Sequence, residues 1–318
     1  MSLVKPKIKA EKIGYKKLLE AKDHFKAIVM DQDGTIKGGI IPKYSQENVL
    51  LLIEKIILKN KYPSVITGSG VSALRSYFSL NNLYKTKKYK IPTYIGIGNG
   101  NALYKFDING CFQIYNYPLS LKEIIKIIKI YEKIYLKFGI QYYDLKKTGL
   151  VVFNKFNKLD WRNLIHNNFL AISRTYKGRL FAEEIKVSFV FPDWNEEKQR
   201  TLVVEMQNGL DIVLGKNQYY VSRGDSTFMH INKNLGIDPK LFALKKIMLD
   251  LKITKKQIIA FGDMPRDNDR GLLIESGLPF VFTNEYLKNG YGYKPYILPG
   301  SKDLPINSVY SAINNLLS

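Results

Sequence analysis

Cysteine is nearly missing from this chain: Cys111 stands alone, so no intramolecular disulfide and no cysteine-built zinc site can form, and a reducing compartment suits the sequence. Histidine is almost as scarce, and His24, His166 and His230 lie far apart, which argues against a histidine-rich metal site. Lys, Asn or Pro interrupts every apolar run well short of the roughly 18 residues that a membrane-spanning helix needs. The opening Met1-Ser-Leu-Val-Lys-Pro-Lys7 lacks the apolar stretch of a secretory signal. A cytoplasmic protein without a membrane partner is the expectation. Arginine is the last scarcity, supplying eight of 49 basic residues against 28 acidic ones. A net charge of +21 invites a nucleic-acid reading. Bidentate phosphate recognition favours arginine, however, and the lysines are scattered, so nucleic acid is not the expected partner. The lysine-rich stretches 4–17 and 85–90 are the best candidate patches.

What the chain does have is length and a changing pattern. Its 318 residues suggest two domains, or one large domain with an insertion. Lys26-Ala-Ile-Val-Met30 is a short apolar strand that turns abruptly into Asp31-Gln-Asp-Gly-Thr35. Residues 45–59 follow as a helix with a wide apolar face, then strands at Ser64–Thr67 and Thr93–Ile97, with a helical pattern between them. Strands alternating with helices predict a doubly wound, mostly parallel Rossmann-like α/β core. After Tyr117-Pro118 the pattern changes: a long Ile/Lys helix over about 120–137 precedes strand-like segments at 149–153, 184–191, 201–206 and 211–214. An inserted α+β domain is predicted there. The α/β pattern then resumes with the helix that Asp238 and Pro239 open, a buried strand at Ile258–Gly262 and another at Pro279–Thr283. The expected division is a core of 1–116 plus 229–318 and an insertion of 117–228.

Ligands of such sheets bind beyond the carboxyl ends of the strands. Asp31 and Asp33 stand there after the first strand, Thr67 after the second, and Asp263, Asp267 and Asp269 after the strand at 258–262. Clustered carboxylates push one another's pKa upward unless a cation neutralises them, so a hard divalent ion, Mg²⁺ first, is implied. Gly96-Ile-Gly-Asn-Gly100 is no dinucleotide loop, because Asn101 occupies the place of the third glycine.

These residues carry a resemblance. Asp31-Gln-Asp-Gly-Thr35 resembles the DxDGT signature of the haloacid dehalogenase-like phosphohydrolases, and Thr67-Gly68-Ser69, Lys240 and Gly262-Asp263 are similar to the family's other motifs, in its order. The insertion, preceded by Gly98-Asn-Gly-Asn-Ala-Leu-Tyr104, resembles the α/β cap of the subclass that holds Cof-type sugar phosphatases and phosphomannomutases. Thr67-Gly68-Ser69 departs from the Thr-Gly-Arg frequent in that subclass.

The resemblance implies a Mg²⁺-dependent phosphomonoesterase acting on a small phosphorylated metabolite, with sugar phosphates foremost. Asp31 would be the nucleophile and Asp33 the general acid and base. Thr67, Lys240 and amides of the Gly68–Gly70 turn would bind the phosphoryl oxygens. Asp31, the backbone carbonyl of Asp33 and Asp263 would hold the metal, with a second acid that is Asp267 in a GDxxxD reading or Asp269 in an expanded GD…ND reading, Asp267 ranking first. Arg223 and His230, ahead of Arg174 and Arg179, are the candidate substrate contacts from the cap. A phosphomutase using the same two aspartates and a non-enzymatic basic polyanion binder are the competing readings.

Overall fold

The computed structural model describes residues 4–37, 45–138, 151–154, 157–158, 180–183, 185–191, 194–224, 228–281, 295–298 and 305–318. Its centre is an eight-stranded sheet in the order β14-β13-β12-β1-β2-β3-β4-β5. The strands are β1 (Ala27–Met30), β2 (Tyr62–Ile66), β3 (Thr93–Ile97), β4 (Ala102–Asp107), β5 (Gly110–Asn116), β12 (Ile258–Phe261), β13 (Leu278–Val281) and β14 (Tyr296–Ile297). From β14 to β3 all neighbours run parallel; β4 and β5 add an antiparallel edge.

All four residues of β1 are buried, because both faces of the sheet are covered. Ile28 and Met30 belong to one apolar cluster with residues of helices α2 (Gln46–Leu58), α3 (Val71–Ser76), α4 (Ser79–Lys87) and α9 (Pro305–Leu317). Ala27 and Val29 point the other way, into a second cluster with residues of α7 (Pro239–Leu251) and α8 (Arg270–Glu275). Most of the lysine-rich stretch 4–17 lies in helix α1 (Val4–Glu20), which packs beside β14 and α9.

A second sheet has the order β10-β11-β9-β8-β6-β7. It comprises β6 (Val151–Asn154), β7 (Asn157–Lys158), β8 (Leu180–Glu183), β9 (Lys186–Val190), β10 (Tyr219–Arg223) and β11 (Phe228–Lys233). One face, with Val187, Phe189, Val221, Met229 and Ile231, packs on α5 (Leu121–Lys137) and α6 (Glu196–Leu214). On the other face Lys186, Ser188, Ser222, His230 and Asn232 are buried although polar. Such burial is tolerated only where hydrogen-bond partners exist, and these come largely from the first sheet's loops.

Two expectations are corrected. Residues 201–206 and 211–214 are not strands but parts of the single helix α6: its buried residues Gln199, Leu202, Met206 and Leu210 recur at helical spacing, and the Asn195 side chain caps its start by accepting from the Lys198 amide at 2.9 Å. The return to the first sheet lies beyond Lys233 rather than at residue 229, because β11 pairs with β10 and β9. No helix among the described residues is long and apolar enough to cross a membrane.

Candidate active site

The first sheet brings its acids together at the carboxyl ends of β1 and β12. Asp31 follows β1 directly and is buried, and its Oδ1 accepts from Lys240 Nζ at 2.5 Å. Lys240 stands in the first turn of α7, aimed by a firm helix start: Pro239 fills the opening turn and Asp238 accepts from the Leu241 amide at 3.0 Å. The same ammonium donates to Asp269 Oδ1 at 2.5 Å, while Asp269 Oδ2 accepts from the amides of Asp263 and Met264, both at 2.9 Å. Thr35 Oγ1 lies 3.4 Å from both Asp31 Oδ2 and Asp263 Oδ1. One carboxylate oxygen from each of Asp31, Asp263 and Asp269 falls within 4.8 Å of the others.

Three carboxylates thus gather beside one ammonium that pairs with two of them, Asp31 and Asp269, and their protonation splits. Burial, reinforced by the Asp269 charge, pushes Asp31 upward against the pull of Lys240. Burial and the charges of Asp269 and Asp31 raise Asp263 well above the usual carboxylate range. Asp269 resists its own burial, because Lys240 and the backbone amide of Met264 hold it low. Lys240 is raised despite its burial by Asp269 and Asp31.

Asp33, two residues on from Asp31, is exposed. Its Oδ2 accepts from Ser69 Oγ at 2.6 Å and from Thr67 Oγ1 at 3.4 Å, and Oδ1 accepts from Gln32 Nε2 at 3.2 Å. Thr67 Oγ1 in turn accepts the Ser69 amide at 3.0 Å. The turn 67–69 is braced from behind by Gly98-Asn99-Gly100, where the Gly98 amide donates to Ser69 O at 2.8 Å and the Asn99 amide to Thr67 O at 2.9 Å. All three residues of that brace have positive φ, which Gly and Asn adopt most readily.

The polar face of the second sheet closes over this turn. Lys186 Nζ donates to Gly68 O at 2.5 Å, and Asn232 Nδ2 donates to Gly98 O at 3.0 Å. His230 is buried, with Nδ1 2.9 Å from Ser188 Oγ and its ring stacked on Phe228. Its Nε2 edge faces Gly68, 3.3 Å from where a Cβ on that glycine would stand. Burial, with Lys186 and Lys240 adding to it, depresses the imidazole well below its ordinary value, so it is neutral.

A sequence profile of haloacid dehalogenase-like hydrolases matches residues 28–285, more than half of the chain and the whole of this site. The chain belongs to that family. Solved structures agree on the fold. A HAD/COF-like hydrolase from Plasmodium vivax aligns over 94% of this chain and 98% of its own, with 16% identity and a TM-score of 0.59. IMP-nucleotidase from Plasmodium falciparum, truncated at its N-terminus and bound to IMP, aligns over 97% and 72%, with 13% identity and a TM-score of 0.57. A haloacid dehalogenase-like hydrolase from Bacteroides thetaiotaomicron aligns over 92% and 99%, with 18% identity and a TM-score of 0.54. Among curated proteins none matches the chain in sequence.

In this haloacid dehalogenase-like hydrolase, Asp31, Asp33, Thr67, Gly68, Lys240 and Asp263 lie together at one place. Asp267, ranked first as the second acid, does not join them. Arg200 clasps it with Nη1 at 2.8 Å and Nη2 at 3.0 Å, and Arg223 Nη1 reaches Oδ2 at 2.9 Å. Asp269 occupies the place in the carboxylate group. Arg223 is engaged at two of its nitrogens, since its Nε also donates to Gln199 Oε1 at 2.8 Å. Arg174 and Arg179 lie outside the described residues. The motifs assign no role to the hydroxyls of Thr35 and Ser69, and Lys186 and Arg200 lie outside them. Arg200 stands four residues after Glu196 and bonds to it at 2.9 Å, a helical spacing that would have flagged it had the segment been read as a helix.

Proposed function

We propose that this hydrolase is a Mg²⁺-dependent phosphomonoesterase that cleaves a small phosphorylated metabolite, sugar phosphates foremost, through an aspartyl-phosphate on Asp31. The observation that carries the reading is the buried Asp31–Lys240–Asp269 array lying directly behind an exposed Asp33. The donor set suits a hard divalent ion: it is all carboxylate oxygen, and one ammonium leaves the three carboxylates in excess charge. Asp31 and Asp263, with the main-chain carbonyl of Asp33, would hold the ion, while Asp269 anchors Lys240 and the 263–264 turn. When bound, Mg²⁺ offsets the repulsion between the anionic nucleophile and the phosphate.

The chain's own groups do the rest. An Asp31 carboxylate oxygen attacks phosphorus in line, and Asp33 gives its proton to the departing ester oxygen. Asp33 then takes a proton from the water that attacks the aspartyl-phosphate, which regenerates Asp31 and releases inorganic phosphate. Lys240 offsets charge on the phosphoryl oxygens beside Asp31, and the hydroxyls of Thr67 and Ser69 with the amides of their turn supply hydrogen bonds.

In this reading the second sheet with α5 and α6 is a cap, inserted over about 117–233, that admits small esters and shields the reacting phosphate from bulk water. His230, neutral and facing Gly68, meets the leaving-group side of the substrate.

A phosphate-release screen tests this, run with and without Mg²⁺ over sugar phosphates, phosphoglycolate-like acids and nucleoside monophosphates, IMP included because of the Plasmodium falciparum likeness. Release from small esters only with the metal is expected. Interconversion of sugar-phosphate isomers only on addition of a bisphosphate would replace the phosphatase by a mutase. Tight, salt-sensitive nucleic-acid binding with no release from any ester would replace it by a polyanion binder.

A further inference from the structure

Between the two aspartates of the Asp31–Thr35 motif stands Gln32, a polar side chain that is 1% exposed. Nothing in the steps above uses it. A buried primary amide is costly unless both of its ends find partners, and here both do. The Tyr77 hydroxyl donates to Gln32 Oε1 at 2.5 Å, and Gln32 Nε2 donates to Asp33 Oδ1 at 3.2 Å. Tyr77 directly follows α3, is wholly buried, and has its ring in the larger apolar cluster. Burial raises its phenol, so the hydroxyl keeps its proton and can donate to the amide oxygen, while the Asp33 carboxylate can only accept. That fixes the amide's orientation: the oxygen faces Tyr77 and the N–H₂ faces the carboxylate. The other oxygen of Asp33 is held by Ser69 and Thr67. The exposed carboxylate is therefore gripped at both oxygens, on one side by the hydroxyls of the 67–69 turn and on the other by a chain that ends in the protein core.

We propose that Gln32, anchored by Tyr77, is a positioning residue that holds the Asp33 carboxyl in line with the leaving-group oxygen. This rests on the reading of Asp33 as general acid. An apolar residue at 32 would fill the space but release Oδ1, and the acid would then reach the departing oxygen in only part of its rotamers.

The test is leaving-group dependence, which a merely structural role would not move. An alkoxide needs a proton as it leaves; 4-nitrophenolate scarcely does. With kcat/KM measured on 4-nitrophenyl phosphate and on an alkyl phosphate from the release screen, Gln32→Leu should raise the ratio of the first to the second by on the order of tenfold, as losing a supporting hydrogen bond to a catalytic group commonly does. Tyr77→Phe should raise it in the same direction and by less, and serves as well should Gln32→Leu fail to fold. Asp33→Ala sets the scale. If Asp33→Ala shifts the ratio strongly and neither Gln32→Leu nor Tyr77→Phe does, Gln32 positions nothing and the acid role stands. If Asp33→Ala lowers both esters alike, the acid role and the inference fall together.

Discussion

Arg223 Nη1 lies 2.9 Å from Asp267 Oδ2, joining the second sheet to the loop after β12, and both side chains are nearly buried. Arg200 of α6 grips the same carboxylate in a two-point clasp. Asp267 therefore fastens the second sheet and α6 to the loop after β12, and the place beside Lys240 is filled by Asp269, two residues further on.

The two acids should separate on substitution. Asp267→Asn is expected to lower stability by roughly 2–3 kcal/mol, less than the ~3–5 kcal/mol of a fully buried pair, because Arg200 is 41% exposed. Its Mg²⁺ requirement should stay near that of the parent. Asp269→Asn, which loosens Lys240 and the 263–264 turn that places Asp263, should instead raise that requirement steeply and depress turnover. Metal titrations of activity on both variants check this; a steep rise for Asp267→Asn with none for Asp269→Asn reverses the assignment.

Lys240→Met should strand buried carboxylates without their counter-charge. Removing one partner of such a group typically costs ~3–5 kcal/mol, so chelator-treated Lys240→Met should melt well below the parent, with turnover down on the order of 10²-fold or more. Mg²⁺ should narrow the melting gap. Calorimetry with and without the metal reads it out, and an equal gap in both conditions would count against a shared site.

Much of this site was legible because the chemistry follows strands. Asp31, Thr67 and Asp263 each stand just past a short apolar run, and the parallel register sets those runs side by side. Asp267 against Asp269 was not legible. Which one turns inward depends on the loop's fold, where Asp269 doubles back onto the amides of 263 and 264, and on arginines 44 and 67 residues distant in sequence. The helix α6 was misread because its Leu202-Val-Val204 run suggests a strand, although Val204 is exposed and the helical recurrence of Leu202, Met206 and Leu210 decides the packing.

The stability gained from Mg²⁺ should grow with pH. Asp31 and Asp263 are raised in the folded protein above the ordinary value of 3.8, so at pH values between that and their raised values the folded state binds more protons than the unfolded one. Metal-free stability therefore falls as pH rises through that window, and a cation that takes over from the protons relieves the penalty. Melting temperatures in chelator and in Mg²⁺ should diverge as pH rises from the ordinary value of 3.8 to about 7, where Asp31 is held. Curves that stay parallel would contradict it.

His230 works in the opposite sense. Its folded value is depressed below 6.5, so the stability tied to the neutral imidazole is complete above that pH and is lost as pH falls through it. Replacing it by Asn should flatten the acid side of the stability profile between about pH 6.5 and 5; an unchanged slope would mean that the ring titrates alike in the folded and the unfolded chain.

The central claim is covalent chemistry on Asp31, and acid-quenched mass spectrometry during turnover of a small phosphate ester addresses it directly. One phosphoryl group is expected on the peptide carrying Asp31, removable by hydroxylamine, with neither adduct nor turnover in folded Asp31→Asn. Steady phosphate release with no adduct, or a fully active Asp31→Asn protein, would contradict it.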